Sequence, residues 1–451
     1  MRMLTAAAGL MMGIASQFPE GALRAGQPVA LTSPADGDTW AADSRHNVSW
    51  TGNGEGEVTL EYTTDDGETW APIETAAPNC GTYLWKVPGN LSQKCRVRIK
   101  TGSTGGSLSS GKFSIIPSQE VAGYEWTNVT EHADFAPRDG AGALTFKSRM
   151  WLIGGWNPRD KTFFPRICNN EVWNSRDGAE WTLVKPNSFI DSEFDPEADW
   201  EGRHVAGYVV YKDRMWIVGG DGNQGHHMFD VWNSVDGASW TNVCKGKPVP
   251  WGPRALHHTV VFNDRIWILG GQTTPPFVEV DEKFYRDIWN TSDGVNWEQV
   301  VPNEPYWSTR GMIAGSVVFN DRMWILGGGT YDTPNHPDRN FYNDVWSSGD
   351  GVDWTLHVDS APWDPRQFHS VAVFDKRMWI LTGYYKPRGE LNDVWYSADG
   401  VNWYEVPDTP WSVRHAVSVF VHDGALWMTG GPTGRPADVW KLTRSTDAAG
   451  Q

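Results

Sequence analysis

The sequence predicts an all-β chain, a six-bladed β-propeller preceded by a small β-sandwich. Three observations carry that expectation. An Arg-led pattern occurs six times, at Arg138, Arg203, Arg254, Arg310, Arg366 and Arg414, with starts 48 to 65 residues apart. Each copy runs through an apolar stretch, turns at a polar pair and reads apolar-Trp-apolar before Gly, as in "NDRMWILGGG" from Asn320 to Gly329. Most copies then continue as "DVWSSGDGVDWTL" does from Asp344 to Leu356, where Asp-Gly between alternating apolar residues marks a tight hairpin. Four strands per repeat at this period are the signature of propeller blades. The composition agrees: 28 Trp and 48 Gly among 451 residues suit short strands and tight turns.

In chain order, "MRMLTAAAGLMMGIASQ" has one Arg, a short apolar core and small residues near its end, which predicts a signal peptide within residues 1–25. No later segment is long and apolar enough to span a membrane. A secreted or periplasmic protein is therefore expected, in a compartment where disulfides form. Of the four cysteines, Cys80 and Cys95 are the first candidate pair, and Cys168 and Cys244 fall near one face on adjacent blades. Residues 26–118 alternate apolar and polar positions in "NVSWTG", "VTLEYTTDDGETWAPI", "GTYLWKVP" and "CRVRIKTG", which predicts the sandwich. The propeller is expected over 119–445, with 446–451 as a tail. The sixth repeat stops after "ADVWKLT" without a fourth strand, whereas "YEWTNV" from Tyr124 to Val129 looks like a fourth strand ahead of the first repeat. It is expected to cross over and close the ring, which removes exposed sheet edges.

What recurs in every blade is expected to be architecture, and what occurs in one or two blades is a candidate site. Eighteen Trp fall at equivalent positions in the second, third and fourth strands. Trp200, Trp251, Trp307, Trp363 and Trp411 precede the repeat Arg by three, with Phe135 in the sixth place. These five either pack against the neighbouring Arg or form a sugar-stacking rim. The six Arg either ring the channel mouth, where they would bind carboxylates, or each pairs with a carboxylate or carbonyl of the adjacent blade.

The residue after each Arg breaks the symmetry: Asp139, His204, Ala255, Gly311, Gln367 and His415. Ring closure would bring His415, Asp139 and His204 onto three neighbouring blades, where a carboxylate between imidazoles is a candidate general base. The alternative is three solvated residues at a wide mouth. His257 and His369 are expected to be structural. His258 stands where other blades have small residues and is the preferred catalytic candidate. Long, dissimilar loops after the second and fourth strands emerge on one face, where binding is expected. They offer Tyr331, Tyr384, Tyr385, Phe163, Phe164, Lys386 and Arg388 as contacts. The loop "DSEFDPEADWEG" holds six carboxylates but lacks the ordered spacing of a calcium loop.

The Arg-led strand with His in "RALH" and "RQFH", the Gly-Gly and the third-strand Trp together resemble Kelch repeats over roughly 123–443, within the galactose oxidase-like superfamily. The S/T-x-D-G-x-x-W hairpins are similar to the Asp-boxes of sialidases. The first domain resembles immunoglobulin or fibronectin type III domains of secreted carbohydrate-active proteins. The net charge of −17 argues against nucleic acid or an anionic membrane as partner. The preferred expectation is a secreted monomer that binds a glycan or an extracellular protein on its loop face. The second is an enzyme acting on an anionic sugar, as the resemblance to six-bladed sialic acid mutarotases and to propeller polysaccharide lyases implies. The third is a galactose oxidase-like copper enzyme, although that family has seven blades and a Tyr-Cys crosslink. No cofactor is expected under the first two; calcium and copper would belong to the acidic loop and the oxidase respectively.

Overall fold

The computed structural model describes residues 29–52, 56–101, 106–120, 123–157, 167–222, 226–247, 249–273, 281–311, 315–431 and 437–445. The leader and the loop residues Phe163 and Phe164 lie outside these segments. Among the described residues no helix is long and apolar enough to cross a membrane.

The chain divides into two compact units. The smaller comprises the described parts of 1–38, 48–83 and 94–113. In it the strand Glu57–Thr63 pairs antiparallel with Ala71–Pro78 on one side and Ser92–Thr101 on the other, and the latter pairs with Ser107–Ser109. Alternation sends Val58, Leu60, Val97 and Ile99 into the interior. Cys80 is exposed and Cys95 buried, and no disulfide joins them, so the expected Cys80–Cys95 bridge is not made. Cys168 and Cys244 are also free: the first lies against His204, the second against the Gly294 carbonyl.

The larger unit is the propeller, and it carries six four-stranded antiparallel sheets. The strands a, b, c and d of blade 4, for example, are Ser316–Phe319, Arg322–Gly329, Phe341–Ser348 and Trp354–Val358. The first strands of successive blades are neighbours around the axis, and that of blade 6 adjoins that of blade 1. Closure follows the sequence expectation. Tyr124–Thr130 pairs with Val439–Arg444 as the fourth strand of blade 6, from Tyr124 opposite Arg444 to Thr130 opposite Val439.

The tryptophans divide by position into three kinds of packing. Five of the six strand b Trp lie against the Asp-Gly turn of the next blade: Trp151 on Gly237, Trp216 on Gly294, Trp267 on Gly351, Trp324 on Gly400 and Trp427 on Gly178. A Cβ on these glycines would enter the ring, and Gly351 at φ 82° also needs the left-handed region. One residue thus makes the hairpin and seals the blade interface. Blade 6 has no such turn, and at its seam Tyr124 packs edge-on against Trp379 at 4.8 Å. The Trp that precedes each repeat Arg packs on the strand d Trp of the same blade, as in Trp200–Trp240, Trp251–Trp297, Trp307–Trp354 and Trp363–Trp403, with ring centres 5.7 to 5.9 Å apart. Edge-to-face geometry adds to the apolar burial.

Each strand c Trp donates its indole N–H to the carboxylate two residues before it, such as Trp346 to Asp344 at 2.8 Å. That carboxylate also receives the repeat Arg. Arg310 donates to both oxygens of Asp344, at 2.7 and 2.8 Å, and to the Gly327 carbonyl at 2.8 Å. Arg203–Asp230, Arg254–Asp287, Arg366–Asp393, Arg414–Asp438 and Arg138–Glu171 repeat the arrangement.

Candidate functional site

The six repeat Arg, at 2% exposure or less, are not a ligand-binding ring. Each is saturated inside its own blade, by the strand c carboxylate and a carbonyl at or near the end of strand b, and not by the adjacent blade. The same holds for Trp251, Trp307 and Trp363, which are buried against their strand d partners and form no rim.

The backbone beyond each Arg shapes the channel. The residue two positions after the Arg is left-handed in the five blades where that position is described: Gly140, Val205, Leu256, Phe368 and Ala416, with φ between 48° and 60°. Their peptide groups link from blade to blade. Ala416 N–H donates to Phe368 O at 2.7 Å, Gly140 N–H to Ala416 O at 3.3 Å, Val205 N–H to Gly140 O at 2.9 Å and Leu256 N–H to Val205 O at 3.1 Å. This belt divides the axial channel. Below it is a chamber of about 180 Å³ that Tyr208, His257 and Thr259 help to line. Above it opens a cavity of about 640 Å³, within the range of about 300–1,000 Å³ usual for small-molecule sites.

Asp139, His204 and His415 all line the upper cavity, so the structure brings together the three residues on blades 1, 2 and 6 that break the symmetry. The Asp139 carboxyl is pushed up to about 6. Burial is the main cause; the nearby His204 and His415 act against it and Glu390 adds to it. No described residue donates a hydrogen bond to its oxygens. His204 has Nδ1 at 2.9 Å from the Asp221 carbonyl, and its ring lies near-parallel to Trp156 at 5.7 Å. A carbonyl only accepts, so Nδ1 carries a proton and Nε2 of the neutral ring is an acceptor. His415 is oriented likewise by Glu390, whose Oε1 lies 3.0 Å from Nδ1.

Sequence reasoning missed the cationic part of the site, which is Arg339 on the blade 4 loop. Its Nε donates to Asp332 at 2.5 Å and its guanidinium lies over the Tyr331 ring at 3.9 Å. The terminal Nη groups have no hydrogen bond to a described residue. Unlike the six repeat Arg, it keeps its Nη edge open to a second carboxylate beside Asp332, which also lines the cavity. The only sequence signal was that it is an Arg in a single loop of the variable face. Tyr331 and Tyr384 also line the cavity, whereas Tyr385, Lys386 and Arg388 do not. Arg388 pairs with Asp364 at 2.5 Å. Val205, Leu256 and Phe368 add an apolar sector beside Tyr331.

His258 is not in the site. It is 1% exposed and lines neither cavity. Neither ring nitrogen has a hydrogen-bond partner, and burial, reinforced by Arg310, His369 and His257, pushes its pKa down to about 3. Such a neutral imidazole cannot reach a ligand. Among the described residues no cluster of three or more His, Cys, Asp or Glu is arranged to hold a metal ion.

No protein-family model matches the chain. A leucine-zipper-like transcriptional regulator 1 homolog of Drosophila melanogaster is 26% identical over 149 residues, which are 32% of this chain and 14% of that protein. The chain therefore matches only a small part of that relative's length. A solved structure described as that of YjhT aligns over 71% of this chain and 98% of its own, with 15% identity and a TM-score of 0.50. That likeness concerns the fold. Together with the ring of six four-stranded sheets, it establishes the chain as an all-β propeller.

Proposed function

We propose that the upper cavity binds a monosaccharide-sized sugar acid and exchanges protons with it, as a mutarotase or epimerase of acidic sugars does. The observation that carries this reading is the convergence, in one cavity of about 640 Å³, of Asp139, His204 and His415 with Arg339, whose Nε is paired with Asp332 and whose terminal Nη groups have no hydrogen bond to a described residue. A cavity of this volume favours a small ligand over a protein surface. In this scheme Arg339 takes the carboxylate, and Tyr331, Phe368, Leu256 and Val205 cover the apolar edge of the sugar.

The chemistry needs one base and one acid. Opening a hemiketal ring removes the proton of the anomeric hydroxyl, forms the carbonyl, breaks the bond from the anomeric carbon to the ring oxygen and delivers a proton to that oxygen. Closing on the other face reverses these steps. A carboxyl near pH 6 serves as either partner around neutrality. His204, with Nδ1–H fixed by a carbonyl, presents Nε2 as the complementary base, and becomes an acid once protonated there.

The test is ligand-observed NMR of N-acetylneuraminate with the purified protein, together with the rate of anomeric exchange. The expected result is saturation transfer and faster exchange, both lost in Arg339→Ala, with the rate alone lost in Asp139→Asn. Saturation transfer with exchange no faster than in buffer would leave a binding module in place of an enzyme. No response to this acid or to uronic acids would refute the sugar-acid assignment.

A further inference from the structure

We propose that Gln272 and Gln367 form a paired clamp that holds the blade 4 loop, residues 330–340, in the register that presents Arg339 to the cavity. The proposal rests on the sugar-acid reading of that cavity and adds the residues that set up its carboxylate end.

Both glutamines occupy places that other blades use for the cavity wall. Gln367 follows a repeat Arg, as Asp139, His204 and His415 do. Gln272 pairs with Ala255, the residue after a repeat Arg, as Asp221 pairs with His204. Asp139, His204, Asp221 and His415 face the cavity, whereas the two glutamines are 0% and 1% exposed and do not line it. Their amides turn sideways to the loop between them. Gln272 accepts from the Tyr331 N–H at 2.7 Å and donates to the Tyr331 carbonyl at 3.2 Å, which pairs both backbone groups of one residue. Gln367 donates to the carbonyls of Thr330 and Asn340, at 2.8 and 2.7 Å, and so ties the two ends of the loop together. An apolar side chain would fill the same space but leave these buried peptide groups unpaired, at a cost that accumulates with each one.

Two glycines make room for the clamp. A Cβ at Gly311 would come within 2.7 Å of Gln272 Cγ and 2.8 Å of its Oε1. One at Gly329 would meet the Asn340 carbonyl and, at 2.7 Å, Gln367 Nε2. Gly311 is the blade 4 counterpart of Asp139, and its φ is not left-handed. Its lack of a side chain is therefore explained by Gln272 and not by the backbone. The clamp fixes Tyr331, and Arg339 stacks on the Tyr331 ring, so the guanidinium inherits its position from the two glutamines. Gln272 and Gln367 are positioning residues that act through Tyr331.

The experiment uses Gln272→Ala, Gly311→Ala and the double variant of the full chain. Two readouts are taken: hydrogen–deuterium exchange of peptides covering 330–340, and affinity for N-acetylneuraminate and for its methyl ester. Each single substitution is expected to speed exchange of the loop and to weaken binding of the acid by about tenfold, the scale of one lost charge-assisted hydrogen bond. The ester, which offers Arg339 no charge, is expected to change little. The double variant is expected to match Gln272→Ala alone, because the atoms that a Cβ at 311 would strike are gone. Unchanged loop exchange in the single variants would overturn the clamp whatever the ligand is. Faster exchange with undiminished preference for the acid over the ester would overturn its link to Arg339. If the unaltered protein binds neither compound, the sugar-acid reading fails and the ligand half of the proposal falls with it, while the exchange data still decide the clamp.

Discussion

Replacing Asp139 with Asn is expected to make the protein more stable at neutral pH while removing proton exchange at the cavity. The Asp139 carboxyl is held at about 6, against an ordinary 3.8, chiefly because it is buried. As pH rises, the unfolded chain releases this proton near 4 and the folded chain only near 6. Between those values folding takes up a proton, so the Asp139 contribution to stability falls with rising pH. The penalty is absent below about 4 and fully present above about 6. The gap of about 2.2 pH units corresponds to about 3 kcal/mol at 1.36 kcal/mol per unit. Asn does not titrate, so Asp139→Asn should be close to neutral at pH 4 and gain up to about 3 kcal/mol at pH 7.5. Paired denaturation curves at pH 4, 5, 6 and 7.5, followed by Trp fluorescence, measure the difference. A difference that is flat with pH, or that favours Asp at pH 7.5, would refute the assignment of Asp139 as a proton-holding group. Stability withheld at a reactive group is the usual trade between folding and function.

Other consequences of the geometry are equally direct. Arg310→Ala strands the Asp344 carboxylate and the Gly327 carbonyl in the interior and should cost about 3–5 kcal/mol in thermal or chemical denaturation; a loss below about 1 kcal/mol would mean that the pair is not the blade's internal staple. His258→Leu removes an imidazole whose nitrogens have no partners, so stability should hold or rise and the response to N-acetylneuraminate should not change; loss of turnover in that variant would restore His258 to the site. A thiol reagent should titrate one cysteine quickly in the native protein, the exposed Cys80, and four after unfolding; finding no fast thiol, and only two thiols after unfolding without reductant, would indicate a Cys80–Cys95 bridge.

The parts of this molecule differ in how legible they are, and the reason is physical. The ring was readable because a propeller solves one packing problem six times. Trp267 needs Gly351 for the same steric reason that Trp324 needs Gly400, and repetition turns that contact into a sequence period. Even the seam was visible, since a strand c without a strand d in "ADVWKLT" implies a strand d elsewhere. The repeat Arg admitted two readings, a ligand-binding ring or carboxylate pairing, although their partners are equally periodic. Glu171, Asp230, Asp287, Asp344, Asp393 and Asp438 each stand two residues before a strand c Trp. Six cations matched blade for blade by six carboxylates are charge-balanced, and a balanced pair has no need of a ligand.

Asp139, His204 and His415 were found by asking which residues break the repeat, because closure of the ring makes blades 6, 1 and 2 neighbours. Arg339 could not be found that way. Its position depends on the path of a loop that no period describes, and on two amides that reach it from the neighbouring blades. The same test misled at His258, where the odd residue out is a buried misfit with no route to either cavity. A break in symmetry therefore marks a functional residue only where the backbone turns it outward. In this propeller that happens above the left-handed belt, in the one layer where Arg-plus-one residues from several blades face a common space. An acidic or basic residue introduced at Ala255, which also lines that space, should accordingly change ligand selectivity, whereas the same change at Gly315, below the belt and against His258 and His369, should only destabilise the fold.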